Sequence, residues 1–340
     1  MVGNPPSALI NALFRNLLAI ACLLAAAAAA AQVTLTRGTN FTLDVAPDGR
    51  IVFDLLGEIR IIPKGGGVAQ PISGAPPAAK RPRWSADGKS IVFQAREDGQ
   101  ERLWLSRPGE SPARRLSDKQ YFDQHPAWHP DGDRIVFSSA RGESGFDLWE
   151  MDIATGLAWR LGNLPGDETE PAWSADGRNL VYVHRQADTW SLRLRSRGQP
   201  ERILETSSSR LSSPSWRPDG SLVTFLRHGD DALVTEMVIL SEPLLVRPLI
   251  ENEDFFVAPV AWLDRQEMLY AANGLIRRRL FDSWTSRNVP FRTEIFPVAA
   301  APRAAVSARE LPAFDTPDER LVVRAARVFD GMGGGYRENL

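Results

Sequence analysis

The sequence predicts an all-β fold: a six-bladed β-propeller of four-stranded antiparallel blades, after a cleavable signal peptide. Three features carry this expectation. A turn motif recurs six times at near-constant spacing, an apolar triplet follows each copy, and a second pair of strand-like segments is legible further along the units.

The turn motif comes first. Pro82, Trp84, Asp87 and Gly88 precede Ile91-Val92-Phe93; Pro126, Trp128, Asp131 and Gly132 precede Ile135-Val136-Phe137. Pro171, Trp173, Asp176 and Gly177 precede Leu180-Val181-Tyr182, and Pro214, Trp216, Asp219 and Gly220 precede Val223-Thr224-Phe225. Two copies are degenerate. The first has Val45 where the others have Trp, ahead of Asp48-Gly49 and Ile51-Val52-Phe53; the last has Trp262 and Asp264 but Arg265 in place of Gly. From Asp48 to Asp264 the steps are 39, 44, 45, 43 and 45 residues, which is the spacing of propeller blades. An Asp-Gly pair between apolar runs predicts a tight hairpin, because Gly takes positive φ without steric cost.

The triplets are apolar at successive positions rather than alternating, so these strands are expected to be buried on both faces. A propeller does this by sandwiching each blade between two others. The Trp before each turn then supplies a wedge of roughly 150–250 Å² between blades. The second strand pairs include Leu103-Trp104-Leu105 with Arg115-Leu116-Ser117, and Leu148-Trp149-Glu150 with Arg160-Leu161. In the first unit Glu58 to Ile62 and Ile72-Ser73 fill that role around Pro63 and the Gly65-Gly66-Gly67 run. An open solenoid would want polar caps at both ends, and none is visible. Closure has two candidate routes: Val33 to Arg37 as outer strand of the last blade, or Asn288 to Val298 alone.

Composition sets the class. With 340 residues, 43% hydrophobic and 24% charged, the chain can bury a large core, and a net charge of −2 gives no basic face for nucleic acid. Residues 1–31 read as a signal peptide: Arg15 precedes an apolar run from Leu17 that ends in Ala25 to Ala31. That run is short of the ~20 residues that cross a bilayer, so no stable membrane span is expected after cleavage. Cys22 is the only cysteine, leaving a mature protein held by its core alone, suited to a bacterial periplasm or the exterior.

The Pro-x-Trp-Ser-x-Asp-Gly units resemble those of TolB-type and tricorn-type propellers. The stretch from Asp44 to Glu58, with Ile61 to Gly67, is similar to the opening blade of exported propellers fused in front of amidohydrolases. Residues 320–340, with Arg320 to Gly331 and Arg337-Glu338-Asn339, resemble the start of the β-sandwich that opens many amidohydrolases. This divides the chain into a signal peptide (1–31), a propeller (32–299), a linker (300–319) and the beginning of a truncated sandwich (320–340). The resemblance implies a binding or scaffolding propeller that presents substrate to a downstream metal-dependent hydrolase domain in cis. Its partner would be an envelope protein, a peptide or a small molecule. A divalent metal such as zinc is implied only for that downstream domain; no cofactor is expected in this chain. The other open reading is a stand-alone interaction module in the manner of TolB.

No nucleophile elbow, phosphate loop or Ser-His-Asp set is visible, and Gly331 to Gly335 lacks the Lys and strand–helix context of a phosphate loop. His125 and His129, four apart on a predicted strand, would stand ~13 Å apart, too far to share one metal. His184 and His228 are expected to be solvated or hydrogen-bonded surface residues. The residue before each motif proline is more informative: Arg81, His125, Glu170, Ser213 and Ala258 in successive units. On channel-lining strands these cluster at one end of the channel, making Arg81, His125 and Glu170 the candidate ligand-binding residues.

Overall fold

The computed structural model describes residues 33–118, 120–142, 145–230, 232–295, 327–328 and 337–338. The expected signal peptide (1–31), the linker (300–319) and the glycine run at 331–335 lie outside these. Gln32 to Phe296 forms one compact unit. In the remainder, Arg327–Val328 pairs antiparallel with Arg337–Glu338.

Six four-stranded antiparallel sheets follow one another along the chain, as the repeat spacing predicts. Blade 2 is representative: Ala79–Trp84, Ile91–Glu97, Gln100–Arg107 and Ser111–Arg115, paired in sequence order. The first strand of each blade is innermost; those of adjacent blades, such as Asp123–Trp128 and Asp167–Trp173, pack against one another around a central channel.

The triplets form the second strands, and their burial matches expectation. Ile51, Val52 and Phe53, Ile91, Val92 and Phe93, and Leu180, Val181 and Tyr182 are all fully buried. The apolar core is divided into six clusters, one for each blade interface. Trp84, Trp128, Trp173, Trp216 and Trp262 each belong to one of five of these. The sixth, between the last blade and the first, falls where Val45 replaces Trp. There Phe41, Phe53, Phe256 and Phe291 fill the space instead, with ring centroids 5.0 Å apart for Phe53–Phe291 and 5.3 Å for Phe41–Phe256.

Ring closure uses both candidate segments but not as the outer strand of the last blade, where Val33 to Arg37 was one expectation. The last blade already has its own outer strand, Ser286–Val289. The chain then turns at Pro290 into Phe291–Ile295, which runs parallel to Gly67–Val68 of the first blade and antiparallel to Val33–Leu35. The glycine run has a purpose here: Gly66 has φ +92°, and a Cβ on it would lie 2.1 Å from the Pro290 carbonyl oxygen. Gly67 donates its amide to that same oxygen at 2.9 Å.

The Asp-Gly element is a broader turn than the tight hairpin predicted from it. Residues 85–90 join the first two strands of blade 2, and Asp87 Oδ1 accepts from the Lys89 amide at 3.0 Å and the Ser85 hydroxyl at 2.6 Å. These contacts hold Asp87 below the ordinary carboxylate range. Asp48, Asp131, Asp176, Asp219 and Asp264 likewise accept from the amide two residues on. The carboxylate therefore fixes the turn even in the last copy, where Arg265 replaces Gly. Two-residue hairpins occur one connection later, at Leu56-Gly57, Asp98-Gly99 and Asn273-Gly274, each with both residues at positive φ.

Candidate functional site: the channel mouth

Each inner strand of blades 2 to 5 is interrupted by a bulge in which two residues face one on the second strand. The pairs are Arg81-Pro82, His125-Pro126, Glu170-Pro171 and Ser213-Pro214. Proline fits a bulge because it has no amide to offer the ladder. The residue ahead of it adopts the left-handed conformation, with φ of 54°, 54°, 52° and 56° in the four blades. For a non-glycine residue this costs about 1–2 kcal/mol, and here it re-aims the side chain into the channel end. Ala258 of the last blade does not share that conformation.

The bulge leaves an amide unpaired in its own sheet, and the preceding blade supplies the acceptor. His125 donates its amide to Gln94 Oε1 (2.8 Å) and Glu170 to Ser138 Oγ (3.2 Å). Blade 4 has Val183 at the equivalent place, without an acceptor, and the Ser213 amide turns to Glu170 Oε2 at 2.9 Å. The same carboxylate oxygen lies 3.4 Å from Arg81 Nη1, and Glu170 Oε1 lies 3.6 Å from Arg210. Arg81 and Glu170 meet across non-adjacent blades, with His125 on the blade between.

Electrostatics follow from enclosure. Burial, then the Arg81 charge, pushes His125 down to about 3, so its imidazole is neutral. Burial pushes Glu170 upward, but Arg81, the Ser213 amide and Arg210, joined by His125 only once it is protonated, outweigh it and bring the carboxyl to about 2. The mouth thus presents a fixed ion pair, a neutral imidazole and the Ser213 hydroxyl, whose oxygen has no partner among the described residues.

Arg81, His125, Glu170 and Ser213 line a cavity of about 280 Å³, whose wall also includes the motif tryptophans. Trp128 and Trp216 donate their indole N–H to the Arg83 and Ala172 carbonyls of the preceding blade, both at 3.0 Å. Two charged wall residues escaped the sequence reading. Asp44 and Arg83 occupy the position just before the motif Trp, or before Val45, where other blades place Ala127, Ala172, Ser215 and Ala261. That contrast was the available signal. Burial raises Asp44 and lowers Arg83 from their ordinary values.

The placements expected for His129 and His184 need correction, whereas His228 is hydrogen-bonded as expected. His129 lies beyond the strand end, packs edge-on to Trp173 at 4.8 Å and bonds Asp131 at 2.9 Å. His184 is buried rather than at the surface, with Nε2 2.9 Å from the Pro165 carbonyl; His228 meets Ser212 Oγ at 2.8 Å. Among the described residues no three His, Cys, Asp or Glu side chains are grouped as a metal site would need. Nor does any described helix have the length and apolarity to cross a membrane.

Six repeated four-stranded blades around a polar-lined channel define a β-propeller. Residues 64–263 match the family model of the TolB beta propeller domain, and the chain belongs to that family. It is 33% identical over 113 residues to an uncharacterised protein of Agrobacterium fabrum, covering 30% of this chain and 38% of the relative. It is 35% identical over 77 residues to Tol-Pal system protein TolB 1 of Novosphingobium aromaticivorans, covering 22% and 16%. The chain thus spans well under two thirds of these curated relatives. Solved structures share the fold: TolB of Acinetobacter baumannii (TM-score 0.60, 16% identity, 75% of this chain and 66% of that one) and a putative TolB of Agrobacterium tumefaciens (0.57, 18%, 72% and 91%).

Proposed function

We propose that the chain is an exported binding and scaffolding propeller that receives a partner at the channel mouth and presents it to a downstream metal-dependent amidohydrolase domain. The observation that carries the binding role is the mouth itself. Four blades adopt a strained left-handed bulge at one position while differing there in side chain, which builds a ring of unlike polar groups rather than a packed core. Export rests on the signal-peptide pattern of residues 1–31, and the hydrolase on the resemblance of residues 320–340. The similarity to Tol-Pal system proteins favours a second reading, a stand-alone periplasmic module that docks an envelope protein.

The binding role is tested by passing an envelope extract of the producing bacterium over wild type and over the Arg81→Ala/His125→Ala/Glu170→Ala variant. A partner held by wild type and lost from the folded variant is expected; equal retention contradicts the proposal. Reading the coding sequence past Leu340 separates the two versions. A His-x-His within about the next hundred codons decides for the hydrolase, and a stop codon at once decides for the stand-alone module.

A further inference from the structure

We infer that the channel holds a carboxylate end group of its ligand against Arg83, which lines the same cavity as Arg81, His125 and Glu170; this rests on the binding role just proposed. Arg83 lines the cavity and uses a single nitrogen within the protein: Nη1 donates to the Pro82 carbonyl at 3.1 Å and the Leu43 carbonyl at 3.3 Å. Its Nε and Nη2 edge has no acceptor and no ion-pair partner among the described residues. That edge is the planar fork that grips two carboxylate oxygens at once. The neighbouring arginines, Arg81 and Arg210, are already engaged with Glu170.

The charged groups around Arg83 are Asp44, Arg81, Asp54 and Glu170. Glu170 is engaged by Arg81 and Arg210, and Asp54 accepts from the Thr42 amide and hydroxyl, both at 2.6 Å. Asp44 is turned to the Trp84 amide at 2.8 Å. A guanidinium in an enclosed cavity with an unused edge is costly to leave without an anion. Two wall carboxylates disfavour a dianion such as phosphate, so a monoanion fits best. The remaining wall, with Pro126, Pro171, Trp128 and Trp173, suits an apolar body behind that anion.

Two sources share this chemistry, the C-terminus of a peptide and a free small acid. The test incubates the full chain with a random tripeptide pool bearing free C-termini, with the same pool amidated, and with phenylpropionate, and measures bound ligand by equilibrium dialysis and mass spectrometry. Free-acid peptides are expected at tenfold or greater enrichment over their amides if the source is a peptide; saturable phenylpropionate binding with no peptide enrichment assigns a small acid. In Arg83→Gln the preference for acid disappears while thermal unfolding stays cooperative. Asp44→Asn, which keeps an acceptor for Trp84, tightens acid binding. Acid and amide retained alike with no phenylpropionate bound, or acid preference surviving in Arg83→Gln, would overturn the inference. Envelope-partner capture through Arg81, His125 and Glu170 would stand regardless.

Discussion

Replacing Glu170 with glutamine isolates the charge that organises the channel mouth. In the folded protein this carboxyl drops from an ordinary 4.5 to about 2, with Arg81, the Ser213 amide and Arg210 overcoming its burial and His125 adding to them only once it is protonated. A depressed folded value means the unfolded chain binds the proton more readily, so the stabilisation is complete above the unfolded value and is lost as pH falls toward the folded one. At about 1.4 kcal/mol per pH unit, the shift corresponds to about 3 kcal/mol at neutral pH. The glutamine amide keeps an acceptor for the Ser213 N–H but offers Arg81 no charge. The assay is urea unfolding of wild type and Glu170→Gln from pH 7 to pH 2. The wild-type advantage should be about 3 kcal/mol above pH 5 and shrink progressively toward pH 2. His125 moves the other boundary: its folded value of about 3 makes both proteins lose stability as pH falls below about 6.5, the free imidazole value. A wild-type advantage independent of pH would refute the account of the mouth as an ion pair held by enclosure.

Three further substitutions probe the frame. Phe291→Ala removes a buried ring from the closing strand and should cost about 3–5 kcal/mol, with hydrogen exchange rising at Val33–Leu35 before the other blades; uniform exchange would argue against a local closing ladder. Gly66→Ala forces a Cβ toward the Pro290 carbonyl at a φ of +92° and should lower the melting temperature more than Gly65→Ala, whose Cβ meets nothing within 4 Å. Ser213→Gly relieves the left-handed strain and deletes a hydroxyl without partners among the described residues, so gain and glycine entropy nearly cancel, within about 1 kcal/mol. Ser212→Gly, one residue earlier in a regular position, should be measurably destabilising by the same urea assay.

The propeller was legible because its information is periodic and local. Each Asp-Gly turn, apolar triplet and Trp repeats what one blade needs, so six weak signals reinforce one another. The closing interface departs from that pattern, and there the sequence left two routes open. The residues that solve it, Phe41, Phe256 and Phe291, follow no repeat, and the Gly66 contact depends on Pro290 far along the chain. The mouth was partly legible, since channel-facing strands bring the residue before each proline to one end whatever its type. The left-handed bulge that aims those residues has no signature beyond the proline itself. Arg83 was missed for a related reason: its unused edge is defined by what neighbouring blades fail to offer.

Closure is open to direct chemical test, because Cys22 is the only native cysteine. Thr34 and Glu294 face each other across the closing ladder, and Thr34→Cys/Glu294→Cys places a thiol on each. Oxidation should give one intramolecular disulfide enclosing about 260 residues, for which loop entropy predicts up to about 5–6 kcal/mol of added stability, read as a higher urea midpoint that reverts on reduction. Oxidation that yields only free thiols or intermolecular dimers, with no rise in the midpoint, would contradict a ring closed by these two strands.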